Sequence, residues 1–375
     1  MKNVVDWSQA PHEILGLIAE RLNSIEDYLR FGGVCQSWRF VTLDQRRLNF
    51  SPKTLPWLMF PLNEKDELED GSYIENPDFF SLSEDKYYKF DLSEARSCYV
   101  TGSPYGWLIL IDVDRLEIYN PLTRVRITLP LPLEVKEHHI YHFAHLVMTS
   151  STTSPKCQFI VVVNFFESLA FIRAGDLAWT TIEISNIDND DMVCLNNVFY
   201  IVDSDGIIRR FDVTSPNPVA TEFVQPPDEL KMEDITFHLV ELLGELHMVV
   251  KYDDFQMLSQ DHHFVIGSRA FDEHRAYYFR VFKLDFATKK WKELYTLGDY
   301  TFFVGRNTSF SVRASDFSHC SRGCIYFTDT LNGSGQSTGD IGIFDIVTDG
   351  MEVLFTGEDD VNLYASPVWF IPSLC

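Results

Sequence analysis

The stretch NNVFYIVDSDGIIRRFDV, residues 196–213, contains two short apolar runs separated by the polar sequence DSDG. Apolar runs of this length that end at Asp, Ser and Gly are typical of β-strands joined by a tight turn. We therefore predict two consecutive strands in this stretch, with the turn at DSDG.

Short apolar runs divided by turns recur from about residue 99 onward. Further examples lie at 106–121, 242–252, 277–294, 323–330 and 340–355. A weak repeat of strands and turns every several tens of residues favours the four-stranded blades of a β-propeller. At about 40–50 residues per blade, the roughly 300 residues of this region would make six or seven blades.

The first 50 residues show a helical pattern instead. One helical face contains the apolar positions Ile14, Leu15, Ile18, Ala19 and Leu22. Pro11 is suited to the first turn of that helix, and Ser24 can cap a second helix that the Gly32–Gly33 pair would end. A third helix is indicated by apolar residues at i, i+4 and i+7, namely Val34, Trp38 and Val41. The sequence thus predicts an α+β fold, with a small three-helix module before an all-β propeller-like domain.

The chain accordingly divides into three parts. The helical module is expected at 4–48, a linker with the first strands at 49–98, and the propeller-like domain at 99–375. In the middle part, SPKTLPWLMFP (51–61) indicates an extended strand and NEKDELEDGS (63–72) a solvated acidic loop.

The net charge of −24 is concentrated outside the helical module. Residues 1–50 contain six basic and six acidic side chains, so the whole acidic excess follows residue 50. An acidic surface repels phosphate, which makes nucleic acid and anionic membranes poor partners. Basic protein partners remain possible, although the charge also serves simply to keep the body soluble.

The cysteines and the apolar runs indicate a cytoplasmic or nuclear protein, or one found in both compartments. The seven Cys residues are scattered and odd in number, which suggests no disulfide framework and a reducing compartment. The sequence MKNVVDWSQAP at residues 1–11 lacks the apolar centre of a secretory signal. The longest apolar run, FIVVVNFF at 159–166, is too short to span a bilayer.

The helical module is too small to bury much core by itself. A module of about 40 residues usually needs staples or a partner, and no metal site or disulfide is evident in it. We expect another protein to complete an apolar face built from Pro11, Ile14, Leu15, Leu29, Val34, Cys35 and Trp38. A central Trp is typical of the residues that dominate such an interface.

The helical module resembles the F-box. The resemblance rests on W-x3-P-x2-I-L-x2-I-x3-L, from Trp7 to Leu22, and on DYLRFGGVCQSWR at 27–39. The matching positions are Pro11, Ile14, Leu15, Ile18, Leu22, Asp27, Arg30, Phe31, Val34, Cys35, Trp38 and Arg39. The chain departs from the pattern at Ala10, where Leu is usual, and at Gln36, where a basic residue is common.

The rest of the chain resembles the β-propeller-like domain of plant F-box proteins of the KIB group. The landmarks are SPYGWLILID and IYNPLTRVRITLP, within 103–130, and two segments within 303–346. The resemblance implies an SCF-type ubiquitin ligase subunit, in which the F-box docks on a Skp-type adaptor and through it on a cullin scaffold. The β domain would then hold an unknown protein substrate, and the chain itself would do no chemistry.

The resemblance also implies which residues contact the adaptor. These are Pro11, Ile14, Leu15, Ile18, Leu22, Leu29, Phe31, Val34, Cys35, Trp38 and Val41. Two other functions stay open at this point. The propeller could be an enzyme or a ligand-binding module, or the F-box could belong to a scaffold that acts outside ubiquitin transfer.

Several residue clusters invite a chemical interpretation. Four histidines lie close together in the sequence, namely His138, His139, His142 and His145. On a strand, the first and third would share one face and the second and fourth the other, so the cluster is split for a single metal ion. Cys320 and Cys324 have C-x3-C spacing, which we interpret as two reduced thiols in a turn.

The remaining candidates also favour a structural interpretation. GRNTSFSVRASDF, at 305–317, lacks the phosphate-binding patterns of nucleotide sites. The paired acids at 190–191, 253–254 and 359–360 are interpreted as polar turns. Blade-core packing is expected for Trp107, Trp179, Trp291 and Trp369. We therefore predict no catalytic residue, no cofactor and no metal.

Overall fold

The computed structural model of the chain describes residues 6–22, 24–47, 54–60, 79–90, 98–102, 105–112, 114–131, 143–148, 160–165, 168–173, 175–182, 184, 189–215, 218–230, 235–252, 277–305, 309–328, 341–355 and 367–374. After a short 3-10 helix at Trp7–Gln9 come three α-helices, which are α1 (His12–Ala19), α2 (Ile25–Gly33) and α3 (Gln36–Arg47). We call residues 7–47 the helical head.

The ends of α2 follow the signals in the sequence, whereas Pro11 precedes α1 as its N-cap and Leu22 lies beyond the end of α1 at Ala19. Ser24 caps α2, because its side chain accepts a hydrogen bond from the backbone N–H of Asp27 at 3.5 Å. The helix ends at Gly33, as predicted. Val34 lies outside α3 and is 61% exposed. The apolar period predicted from Val34 onward was wrong at that position because the chain leaves one helix there and begins the next at Gln36.

The body of the chain consists of strands. They are β1 (Trp57–Met59), β2 (Phe79–Ser81), β3 (Lys86–Tyr88), β4 (Tyr99–Gly102), β5 (Leu108–Asp112), β6 (Arg115–Asn120), β7 (Val125–Leu129), β8 (Phe143–Met148), β9 (Ile160–Phe165), β10 (Ser168–Arg173), β11 (Thr180–Ile182), β12 (Asn189–Leu195), β13 (Val198–Asp203), β14 (Ile208–Asp212), β15 (Thr221–Val224), β16 (Ile235–Leu242), β17 (Glu245–Tyr252), β18 (Tyr278–Asp285), β19 (Lys290–Leu294), β20 (Tyr300–Val304), β21 (Phe310–Arg313), β22 (Cys324–Thr328), β23 (Ile341–Asp345), β24 (Gly350–Phe355) and β25 (Val368–Phe370).

Among the described residues, these strands form five four-stranded sheets and one five-stranded sheet. Consecutive strands pair in the sheets β4–β7, β8–β11, β12–β15 and β16–β19. Strands at the edges of neighbouring sheets lie side by side, with β8 beside β12, β12 beside β16, β16 beside β21, and β25 beside β4. This is the arrangement of a propeller, which confirms the predicted mostly-β body after three helices. The blade number, six or seven, stays a prediction.

The DSDG stretch forms the predicted hairpin between β13 and β14. In its turn, Oδ1 of Asp203 accepts hydrogen bonds from the N–H groups of Asp205 and Ile207, at 3.1 and 2.9 Å. Gly206 has a φ of +73°, and a Cβ there would lie 2.8 Å from Cζ of Phe237. The turn therefore needs glycine for its backbone and for the close approach of the next sheet.

The sheet that contains β1 joins distant parts of the chain. Its order is β25-β1-β2-β3. The pairing of β1 with β25 is antiparallel and aligns Trp57 with Phe370, Leu58 with Trp369, and Met59 with Val368. The strands of the 49–98 segment thus belong to a propeller sheet, while the predicted boundaries at 48 and 98 stay predictions.

The five-stranded sheet has an order that the repeat in the sequence does not show. Its order is β21-β20-β22-β23-β24, and β20 and β22 run parallel. The hairpin of β20 and β21 is followed by a 3-10 turn at Ala314–Asp316 before the chain returns as β22. This detour adds a strand at the inner edge of the sheet.

The tryptophans of the body pack as predicted. Trp107 and Trp369 are 1% and 0% exposed and lie within apolar cores. Trp179 and Trp291 are partly buried and pack against cores of their sheets. The indole N–H of Trp291 donates to the backbone oxygen of Gln225 at 2.8 Å. These contacts give the four side chains a structural role.

Candidate functional site

The three helices of the head pack around one apolar core. Its buried apolar side chains are Leu15, Ala19, Ile25, Tyr28, Phe31 and Val41. Polar contacts inside this core join the three helices. The hydroxyl of Tyr28 donates to Oε1 of Gln45 at 3.3 Å, and Nε2 of Gln45 donates to the backbone oxygen of Gly16 at 3.0 Å. One amide side chain on α3 thus binds both other helices.

The residues predicted to contact an adaptor differ in their exposure. Four are exposed, namely Pro11, Ile14, Leu29 and Val34. Four are partly buried, namely Ile18, Leu22, Cys35 and Trp38. Three are buried in the core, namely Leu15, Phe31 and Val41. Buried side chains reach a partner only if the head rearranges, so the open part of the predicted set is the exposed four.

Trp38 is anchored within the head. Its indole N–H donates to the backbone oxygen of Trp7 at 3.0 Å, and its ring packs on Phe31 with centroids 4.3 Å apart. The hydroxyl of Ser37 donates to the backbone oxygen of Ser8 at 2.8 Å. These contacts fasten the 3-10 helix to α3 and leave Trp7 itself 54% exposed.

Four exposed apolar side chains of the head were missed. They are Trp7, Leu17, Phe40 and Leu43. Leu17 lies three residues after Ile14, and Leu43 lies three residues after Phe40. A search for apolar residues three positions apart on each helix would therefore have found Leu17, Phe40 and Leu43. The rings of His12 and Phe40 meet edge to face, with centroids 5.7 Å apart. This contact places the start of α1 beside the outer side of α3.

The exposed apolar residues are concentrated in the head. We call Trp7, Pro11, Ile14, Leu17, Leu29, Val34, Phe40 and Leu43 the open apolar set. Among the described residues, seven of the fifteen exposed large apolar side chains are in the head. Exposed apolar side chains are thus more frequent in the head than in the described part of the body.

Part of the head is covered by the chain's own body. Leu374 is 5% exposed and belongs to the core of the head, with Leu122 packed beside it. Nζ of Lys86 lies 2.6 Å from Oε2 of Glu26, and this contact lowers the pKa of Glu26. The body therefore covers this side of the head, while the open apolar set is exposed among the described residues, and its coverage by another protein stays a prediction.

A buried polar cluster lies where three sheets of the propeller meet. Asp191 on β12 is 0% exposed, and its Oδ2 accepts from the N–H of Leu239 at 3.0 Å and from the hydroxyl of Ser309 at 2.5 Å. Nδ1 of His238 lies 3.7 Å from the same oxygen. The 190–191 pair was interpreted as a polar turn, which was wrong, because a bulge in β12 turns Asp191 into the interior.

The contacts in this cluster differ from those that activate a serine nucleophile. A serine nucleophile needs a base that accepts its proton, and that base needs an orienting carboxylate. Here the hydroxyl of Ser309 donates directly to Asp191, and no hydrogen bond joins the side chains of Ser309 and His238. The cluster instead ties β12, β16 and the start of β21 together. Sequence spacing gave no signal for it, since its members come from three sheets.

The comparisons with known proteins agree with this architecture. A family model described as the KIB1-4 beta-propeller matches residues 79–345 of the chain. The chain belongs to the KIB1-4 beta-propeller family. The head, which lies outside the matched residues, precedes a KIB-type propeller.

Curated relatives match this chain over most of their own lengths. The F-box protein SKIP23 of Arabidopsis thaliana is 25% identical, over 99% of this chain and 96% of its own length. The probable F-box protein At1g65740 and the F-box/kelch-repeat protein At1g57790, from the same plant, are each 25% identical, over 89% and 88% of this chain and 95% and 85% of their own lengths. The resemblance to plant F-box proteins with a KIB-type propeller is thereby confirmed.

Burial raises the pKa of the described cysteines of the KIB-type propeller, namely Cys98, Cys194, Cys320 and Cys324. Burial raises the pKa of the Cys324 thiol to about 11 and also raises the pKa of Cys320. Both are free, as are the other described cysteines. In the described part of the chain, no three His, Cys, Asp or Glu side chains come together as a metal site.

Other sequence candidates lie outside the described residues. This holds for residues 138, 139 and 142, for the side chain of His145, and for the pairs at 253–254 and 359–360. A G-x-S-x-G pattern at 335–339 also lies outside them, between the antiparallel strands β22 and β23. Within the described residues, no helix is both long and apolar enough to cross a bilayer.

Proposed function

We propose that this chain is the substrate-recognition subunit of an SCF-type ubiquitin ligase. The head docks on a Skp-type adaptor, and through it on a cullin scaffold, while the KIB-type propeller holds a protein target. The observation that carries this proposal is the open apolar set on a head that resembles the F-box. Two relatives that match over 96% and 95% of their own lengths are named as F-box proteins.

The proposed mechanism is proximity. Docking raises the effective concentration of a target lysine near the ubiquitin-charged enzyme, so the chain needs no catalytic residue or cofactor. The acidic body disfavours nucleic acid and anionic membranes as partners. The six described sheets support six blades in the propeller, and the scattered thiols support a cytoplasmic or nuclear location, or both.

The adaptor contact is tested with the full chain and a purified Skp-type adaptor. Ile14 is 45% exposed, so Ile14→Asp leaves the core of the head intact and puts a charge into the interface. We expect at least a tenfold rise in Kd, measured by titration calorimetry. Leu177→Asp is the control, because Leu177 is 94% exposed in the body. Binding that is absent in the wild type, or that Ile14→Asp leaves unchanged, contradicts the docking.

Ubiquitin transfer is tested in cells under proteasome inhibition. Proximity labelling with the wild type and with Ile14→Asp should capture the same targets, because the propeller is unchanged. Ubiquitin on those targets should fall with the variant. Equal ubiquitin on the targets in both samples would point to a scaffold that acts outside ubiquitin transfer.

A further inference from the structure

The segment that follows β25 completes the core of the helical head. Leu374 is 5% exposed and is grouped with Leu15, Tyr28 and Val41 in one apolar core. Leu122, in the turn between β6 and β7, packs against the same core. A core residue of the head therefore comes from the far end of the propeller sequence.

The position of this segment is set by a buried amide. Asn120 is 0% exposed, and its Nδ2 donates to the backbone oxygen of Ser373 at 3.0 Å. Its Oδ1 accepts from the N–H groups of Leu122 and Thr123, both at 3.0 Å. One side chain thus shapes the turn that carries Leu122 and holds the backbone next to Leu374.

A close backbone approach fixes the same segment from the other side. Gly106 has a φ of +81°, and a Cβ there would lie 2.4 Å from Cβ of Ser373 and 2.8 Å from its backbone nitrogen. No other residue fits at this position without displacing the segment. Gly106 and Asn120 together form a cradle for Ser373.

Ring closure controls where Leu374 can be. Leu374 follows Phe370 by four residues, which span at most about 14 Å. Phe370 is held opposite Trp57 in the pairing of β25 with β1. The indole N–H of Trp369 donates to the backbone oxygen of Val304 at 3.0 Å, which adds a contact with the five-stranded sheet. The paired closing strand thus holds Leu374 within reach of the head.

We propose that closure of the propeller ring is what makes the head competent to dock. Asn120 and Gly106 act as positioning residues, and Leu374 acts as a part of the docking module supplied by the body. Until β25 pairs with β1, the head lacks a core side chain and opens more often, which lowers its apparent affinity for a partner. The expected effect of ring closure on adaptor binding rests on the proposed function.

The test compares full-length variants by hydrogen exchange and by adaptor titration. Leu374→Ala removes the core side chain, and Leu177→Ala is the matched control at a 94% exposed site. We expect amides of the three helices to exchange at least tenfold faster in Leu374→Ala, with β12–β19 peptides unchanged. The adaptor Kd should rise several-fold, and the control should match the wild type in both measurements.

A second variant tests the hydrogen bond from Asn120 to Ser373 without removing a side chain from the apolar core. Asn120→Asp keeps the oxygen that caps the turn but replaces the donor to Ser373 with a second oxygen. The same local acceleration in the head is expected. Exchange that is unchanged in the head, or that rises equally in head and propeller, overturns the inference for both variants. If wild type fails to bind the adaptor, the proposed function falls, while the exchange data still decide the inference.

Discussion

The hydroxyl of Tyr28 donates a hydrogen bond to Oε1 of Gln45, 3.3 Å away, in the interior of the helical head. The same hydroxyl also lies 3.1 Å from the backbone oxygen of Thr42. Because Nε2 of Gln45 donates to Gly16, this pair joins α2, α3 and α1. A small head with little apolar core depends on such polar joints for a single arrangement of its helices.

Tyr28→Phe should weaken the head while keeping its packing. The substitution removes one donor and leaves the ring, so we expect a loss of about 1 kcal/mol in the local opening free energy. Hydrogen exchange of α2 and α3 amides measures this loss. Tyr295→Phe is the control, because Tyr295 is 73% exposed and its bond to Glu293 lies at the surface. Equal changes in both variants would argue against a special role for the buried pair.

Exposed and buried apolar side chains of the head should respond differently to truncation. Phe40→Ala, at a 59% exposed site, should raise the adaptor Kd roughly tenfold and leave unfolding unchanged. Leu15→Ala, at a 1% exposed site, should cost about 2–5 kcal/mol of stability in the head. Calorimetric titration measures the adaptor Kd, and hydrogen exchange measures the stability of the head. A Phe40→Ala chain that binds like the wild type would remove α3 from the docking surface.

The contact between the head and the propeller should weaken in acid. The hydrogen bond from Lys86 holds the pKa of Glu26 below its ordinary value of 4.5. A carboxylate with a lowered folded pKa stabilises the fold above its unfolded pKa, and this contribution is lost as the pH falls through the folded value. Glu26→Gln should therefore speed exchange in the head at pH 7 and make no difference in strong acid.

High salt should reduce the effect of Glu26→Gln, because the ion pair with Lys86 is partly solvated. Asp228→Asn, at an exposed site in the body, is the control and should change nothing in the head. A Glu26→Gln effect that persists in strong acid, where the carboxyl of the wild type is protonated in the folded and the unfolded chain, would show that the side chain acts through packing.

The cluster around Asp191 should matter for stability. In Asp191→Asn, an amide NH2 replaces one carboxylate oxygen, so at least one of the donors from Met192, Leu239 and Ser309 loses its acceptor. We expect a loss of about 1–3 kcal/mol in urea unfolding of the propeller. Asp205→Asn, at an exposed turn position, should be neutral. No difference between the two variants would contradict a structural role for the cluster.

The sequence predicted what depends on neighbours along the chain. The hairpin with Asp203 and Gly206 is encoded within about ten residues, because turn chemistry and strand period act locally. The cap at Ser24 and the helix end at Gly33 are equally local. Val34 shows the limit of this logic, since a periodic pattern was carried across a helix break.

Contacts between distant segments could not be predicted in the same way. In the sequence, Leu374 is an ordinary apolar residue. Its place in the core of the head depends on the closed ring. Asp191 reads as a polar turn residue, yet its partner Ser309 is 118 positions away in sequence. The open apolar set was found in part only, because burial of Leu15 and exposure of Leu17 depend on how the helices pack.

The pairing of β1 with β25 has a cost during synthesis. Trp57 leaves the ribosome long before its partner Phe370 exists. At roughly 5–20 residues per second, the interval between them lasts about 15–60 s. Throughout this time one edge of β1 presents unpaired backbone groups to other nascent chains, which is the condition under which strands aggregate. We therefore expect the emerging chain to be a client of ribosome-associated chaperones until translation ends.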